Sequence, residues 1–258
     1  MAPLGRHKLQ RMLAAGLPAR LERPLRFLFD KRLSEAERQI VSTVESIREA
    51  LDRQAGSFAG VNRHGDVFQL TASQIAHGVS VNAEWGTFLY LCCQAVGART
   101  ILELGSGAGI SGCYMASSPH CERFITVEAS SDLASLARTK ICQVSNQAEV
   151  VNAFFDDALD TILPTLAAGL DLAYIDGHHK SEPTLRYFRR LAPHLNAGGL
   201  VVFDDIHLSE EMSQAWQVLN EHKGFSHTID AGRFGVCVWD GLSSVSVRHD
   251  LRPYLGWL

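Results

Sequence analysis

From residue 99 onward, short apolar runs alternate with helical segments, and this rhythm restricts the chain to few folds. The runs are RTILEL, RFITVE, AEVVNAF, LDLAYID and GGLVVFDD; GISGCYMA, SDLASLARTKICQV, DALDTILPTLAAG and TLRYFRRLAPHL lie between them. Each run is nearly continuous in apolar residues, as in parallel strands covered on both faces. The expected fold class is α/β, a doubly wound, mostly parallel sheet with helices on both sides. Beyond Trp216 the pattern changes to FSHTIDAGRFGVCVWDG, two extended runs around Ala231-Gly232, which reads as a C-terminal antiparallel hairpin.

The segment before residue 99 reads as helical. Ser34 and Glu37 form a capping box, and Ile40, Val44, Ile47 and Leu51 follow at three- and four-residue steps. Gly56 and Gly60 end that helix; Thr71 with Gln74 opens a short one; Asn82 caps a third that Gly97 closes. Up to Arg32 the chain carries Arg6, Lys8, Arg11, Arg20, Arg23, Arg26, Lys31 and Arg32 against Glu22 and Asp30. Pro3, Pro18 and Pro24 interrupt any long helix there, so this reads as a solvated arm packed loosely on the body or on a partner. The expected divisions are a basic arm at 1–33, an N-terminal helical cap at 34–98 and an α/β core at 99–258.

The stretch ILELGSGAGISG (101–112) contains GxGxxG from Gly107 and an acid followed by three alternating glycines from Glu103. In a doubly wound sheet, ligands lie beyond the carboxyl ends of the strands, where strand order reverses. The apolar run ends at Leu104, so the turn starts at Gly105, and a dinucleotide pattern beginning at Gly107 starts too late. Glu103 at the strand end repels phosphates, whereas a cationic ligand without phosphate suits it. Glu128 ends the next strand, 19 residues after Gly109, where a carboxylate can take both hydroxyls of a ribose. Asp176 ends a later strand, and Asp204 with Asp205 ends the one after it. A helical crossover brings all three acids to one edge of the sheet; both members of the pair meet one ion only if the strand turns there.

These motifs resemble class I S-adenosylmethionine (SAM) methyltransferases with a Rossmann-like sheet, and among them the metal-dependent O-methyltransferases of catechol, caffeoyl-CoA and macrolide-sugar types. The resemblance spans about residues 70–240 and rests on VSVNAEWGTFLYLCCQAVGARTILELGSGAGIS, ITVEAS, LAYIDGHHK and GGLVVFDDIH in that order. It implies SAM as cofactor, with Val81 approaching from the cap and Glu103, Gly105, Ser106, Gly107 and Ser111 at the methionine end. It also implies Glu128 at the ribose, Phe155 and Asp156 beside the adenine, and Asp176 near the cofactor. Asp176, Asp204 and Asp205 would hold Mg²⁺ or another divalent cation, which orients an acceptor hydroxyl and lowers its pKa. The family's base, three residues after the first metal aspartate, falls on His179, with Lys180 beside it; His178 and His207 are also close to the acids. Histidine titrates near neutrality, so it can serve.

The expected function is therefore SAM-dependent O-methyl transfer to a small hydroxylated acceptor. The alternatives are a metal-independent methyltransferase with an acid/base histidine, an NAD(P)-dependent oxidoreductase, and a non-catalytic module. A net charge of −4 and a basic arm without interleaved aromatics argue against nucleic acid. No apolar run reaches a membrane-spanning length. Six cysteines without a CxxC pair point to buried thiols in a reducing, cytoplasmic setting. The cap offers a surface for a homodimer. Trp85, His207, Met212 and Trp216 are candidate acceptor-pocket walls.

Overall fold

The computed structural model describes residues 3–62, 64–241 and 246–255, with side chains from residue 7 onward. The five apolar runs form β3 (Thr100–Leu104), β4 (Arg123–Glu128), β5 (Ala148–Asn152), β6 (Leu170–Ile175) and β7 (Leu195–Phe203). The terminal pair forms β8 (Phe225–Asp230) and β9 (Gly235–Trp239), and a further strand, β10 (Val247–Asp250), follows. The sheet order is β10-β8-β9-β7-β6-β3-β4-β5. Only β9 runs antiparallel to its neighbours, and β10 pairs parallel with β8. From β3 the chain moves outward through β4 and β5, then returns to the other side of β3 as β6. The order therefore reverses between β3 and β6.

Successive strand residues face opposite layers, so Ile101 and Leu102 enter two different cores. Ile101 faces α4 (Ala83–Val96), α5 (Ile110–Ala116) and α6 (Ser131–Ile141). Leu102 faces α7 (Phe155–Ile162), α8 (Ser181–Leu191) and α9 (Glu210–Asn220). The fold class read from the sequence is the one observed. Both capping boxes form: Ser34 Oγ accepts from Glu37 N–H, and Gln74 Oε1 accepts from Thr71 N–H at 2.8 Å. Asn82 caps α4, and Gly97 ends it in a left-handed turn.

Three departures stand out. The basic arm is not loose: α1 (Pro3–Ala14), the turn Ala19–Leu21 and α2 (Glu22–Asp30) dock Leu9, Met12, Leu21, Leu25 and Leu28 into the core on the Ile101 side. Pro24 stands in the first turn of α2, where its missing N–H costs nothing. The basic groups stay on the outer side, with Arg23 paired to Glu37 of α3 (Glu35–Asp52) and Arg20 donating to Gly198 O at 2.7 Å. The cap, expected to be helical, holds an antiparallel hairpin between α3 and residue 71, β1 (Ser57–Val61) and β2 (Val67–Thr71). β10 extends the sheet beyond the expected hairpin.

Candidate active site

The glycine turn marks the reversal of strand order. Gly105 has φ +108°, and a Cβ there would stand 1.8 Å from the carbonyl oxygen of Asp176. The Asp176 N–H in turn donates to Leu104 O at 2.9 Å, so the ends of β3 and β6 are in contact. Gly107 N–H donates to Glu128 Oε2 at 3.0 Å, and Ser130 N–H to Glu128 Oε1 at 2.9 Å. Two backbone donors thus fix the Glu128 carboxylate, while burial pushes its pKa upward.

Beside this turn is a cavity of about 580 Å³. Val81, Gly105, Ser106, Gly107 and Ser111 line it, as do Glu128, Phe155 and Asp176. Two residues expected there do not line it. Glu103 is fully buried behind the wall, where its carboxylate accepts from Ser111 Oγ at 2.5 Å and Thr126 Oγ1 at 2.6 Å. Burial raises its pKa to about 7, although the two hydroxyls pull the other way. Asp156 turns instead to Arg186 (2.9 Å) and Arg190 (3.2 Å) of α8, which neutralise it. Phe155 packs edge-on against Tyr187, and its neighbour Phe154 is a 42% exposed wall residue.

At one end of the cavity the acids converge. Asp176, His179 and Asp204 each bring one ligand atom within 4.8 Å of the others. His179 Nε2 is 3.5 Å from Asp176 Oδ1, and Tyr174 Oη donates to Asp176 Oδ2 at 3.1 Å. Burial first, then the neighbouring Asp204 charge, holds the Asp176 carboxyl well above the usual carboxylate range. Asp204 is 1% exposed and takes a two-pronged contact from Arg233, with Nε to Oδ1 and Nη2 to Oδ2 both at 2.7 Å. The strand does turn at Asp205, whose φ is +49°, but this carries Asp205 out of the converging group. Its Oδ1 is 3.5 Å from Arg233 Nε.

The other candidate bases have other partners. Lys180 Nζ donates to Glu211 Oε2 at 2.9 Å, and His178 Nδ1 contacts Tyr187 Oη at 2.9 Å. His207 Nε2 contacts Asp230 Oδ2 at 2.7 Å, outside the group formed by Asp176, His179 and Asp204. Of these four side chains only His179 reaches the converging group, although His178 and Lys180 also line the cavity.

A second cavity, of about 1050 Å³, borders the acids through Asp205. Asp205, Arg233, Trp85, His207 and Arg252 are among its walls. Met212 and Trp216 are core residues, at 2% and 3% exposure, and do not line it.

A family model described as a methyltransferase domain matches residues 102–206. The catechol O-methyltransferase of Mycobacterium tuberculosis (strain ATCC 25618 / H37Rv) is 31% identical over 184 residues, covering 66% of this chain and 81% of that protein. The chain belongs to the class I SAM-dependent O-methyltransferases. A catechol O-methyltransferase from Niastella koreensis is 28% identical over 66% of this methyltransferase and 83% of its own length. Among solved structures, the O-methyltransferase from Bacillus cereus in complex with SAH (S-adenosylhomocysteine) superposes with TM-score 0.56 at 20% identity, covering 78% of this chain and 91% of that one. One from Streptomyces achromogenes in complex with SAM gives 0.54 at 20%, covering 81% and 92%.

The methyltransferase is thus an enzyme that uses SAM. Among its described residues no helix is long and apolar enough to cross a membrane. Sequence reading missed Arg233, because its signal is only a hairpin-turn position; proximity to Asp204 exists in three dimensions alone. The resemblance to metal-dependent O-methyltransferases implies a divalent cation, and the donor set is compatible with one. Small hard cations bind through one or two carboxylates and keep several waters. Asp176 and Asp204 supply those carboxylates, and the Arg233 contact leaves lone pairs on both Asp204 oxygens. Asp204 and Asp205 both contact the Arg233 guanidinium, so two carboxylates share one fixed cation there.

Proposed function

We propose that the enzyme transfers the SAM methyl group to a hydroxyl of a small molecule at the acid cluster between its two cavities. One observation carries this reading. Asp176 and His179 border the first cavity, Asp204 lies behind them, and Asp205 with Arg233 borders the second. Cofactor and acceptor can thus approach neighbouring side chains of one cluster from separate cavities.

In this reading SAM occupies the cavity at the glycine turn. Glu128 receives the ribose hydroxyls, Phe155 covers the adenine, and the backbone at Gly105, Ser106 and Gly107 approaches the rest of the cofactor without Cβ clashes. Ser111, held by Glu103, faces the methionine end, and Val81 closes the site from the cap (34–98) over the core (99–258). The acceptor oxygen attacks the methyl carbon, the carbon–sulfur bond breaks, and its electrons return to sulfur, giving neutral SAH. His179 takes the hydroxyl proton, and the Asp176 carboxyl, 3.5 Å away, orients the imidazole. Because SAM is already activated, positioning and charge neutralisation supply most of the acceleration.

Asp176 and Asp204 would hold a divalent cation such as Mg²⁺, which when bound orients the acceptor hydroxyl and lowers its pKa. The contact of Arg233 with Asp204 favours a second reading, in which that guanidinium is the only cation present. The catechol O-methyltransferase relatives point to an acceptor with adjacent hydroxyls. The test is transfer of labelled methyl from SAM to a panel of mono- and dihydroxylated aromatics, with and without chelator. Transfer abolished by chelation and restored by Mg²⁺ supports the cation; transfer unaffected by chelator leaves Arg233 in its place. No transfer to any hydroxyl by folded, SAH-binding enzyme counts against O-methylation.

A further inference from the structure

The Arg233 guanidinium has two hydrogen-bonding edges, and only one is used by Asp204. The edge formed by Nε and Nη2 contacts the Asp204 oxygens. Nη1 takes no part in that contact, while Arg233 is also a wall of the larger cavity and its side chain is 29% exposed. Asp204, at 1% exposure, is fixed behind it, so the outer edge is held in one orientation. A guanidinium held this way offers a planar pair of N–H donors, which matches a carboxylate.

The rest of the cavity agrees with such a guest. Its wall carboxylates already face cations: Asp205 meets Arg233, Asp250 meets Arg252 at 2.8 Å, and Glu84 meets Lys31. Arg252, half exposed on the same wall, is shared between Asp250 and Asp230, which leaves Arg233 as the cation with an outward edge. The indole of Trp85 packs against Phe234 at 4.7 Å between ring centroids, which makes it a fixed flat wall.

Building on O-methyl transfer at the acid cluster, we propose that the larger cavity selects hydroxylated aromatic acids, whose carboxylate is received by the outer edge of Arg233. Arg233 is then a specificity residue that touches the acceptor, besides holding Asp204.

The test is binding to SAH-loaded enzyme, followed by calorimetry with 3,4-dihydroxybenzoate and its methyl ester as probes. The ester keeps the ring and both hydroxyls but removes the charge. The wild type is expected to bind the acid at least tenfold more tightly than the ester. Arg233→Lys, which keeps a charge but loses the planar edge, is expected to reduce that preference to less than threefold while SAH affinity stays within twofold. Equal affinity for acid and ester, undetectable binding of the acid, or a preference unchanged in Arg233→Lys overturns the proposal. Failure of the underlying reading registers separately, as loss of methyl transfer to every hydroxyl in a protein that still binds the acid.

Discussion

The Asp176 carbonyl oxygen occupies the space that a side chain on Gly105 would need, 1.8 Å from an ideal Cβ. The contact is backbone against backbone, so neither partner can rotate away. Gly105→Ala must push the ends of β3 and β6 apart and adopt a strained positive φ. It is expected to cost about 2–4 kcal/mol of stability and to weaken SAH binding at least tenfold. Thermal unfolding and calorimetry check both effects; an alanine variant with unchanged melting and affinity contradicts the close approach.

Glu103 makes stability depend on pH. Its folded pKa of about 7 is above the ordinary 4.5, so the folded chain holds this proton more tightly than the unfolded one. The stabilisation is present at low pH and is lost as pH rises through this window, at most about 3 kcal/mol for a buried carboxyl. Melting temperature of the ligand-free enzyme, scanned from pH 5 to 8, is expected to fall more steeply in the wild type than in Glu103→Gln. Parallel slopes in the two proteins contradict this assignment.

Asp204 is buried against Arg233, and removing only one partner leaves the other uncompensated. Arg233→Met is expected to destabilise by roughly 3–5 kcal/mol, as for other broken buried pairs. The double variant with Asp204→Asn is expected to recover part of that loss. Urea unfolding of the two single variants and the double variant measures the coupling; strictly additive losses contradict it.

Glu128 and Asp156 are both near the cavity at the glycine turn, where SAM is proposed to bind, but only Glu128 lines it. Glu128→Gln is expected to weaken SAH binding twentyfold or more. Asp156→Asn is expected to leave it within twofold, because Asp156 faces Arg186 and Arg190. The reverse ranking, read by calorimetry, contradicts the ribose assignment of Glu128.

The sheet was legible because parallel strands covered on both faces announce themselves as continuous apolar runs, as β3, β4, β6 and β7 do. The glycine turn and the acids were legible because each stands at a strand end. The β1–β2 hairpin was not: Gly60 breaks the strand pattern, and its space is filled by the ring of Phe68 across the hairpin, a pairing invisible along the chain. The arm misled for a related reason. Its charges dominate composition, while the stripe formed by Leu21, Leu25 and Leu28 decides its docking. Glu103 was read as a contact of the cofactor's methionine end, but its carboxylate is buried behind the cavity wall against Ser111 and Thr126. Arg233 lies far along the chain from the acids it serves, and no spacing rule connects a turn between β8 and β9 with the end of β7.

The most direct test of the proposed chemistry is single-turnover methyl transfer from SAM by His179→Ala, with SAH affinity measured on the same protein. His179 reaches Asp176 and Asp204, whereas His178, Lys180 and His207 are held by other groups. The expected result is a rate at least a hundredfold below wild type, with SAH affinity unchanged within twofold. A full rate in that variant contradicts proton transfer at the acid cluster.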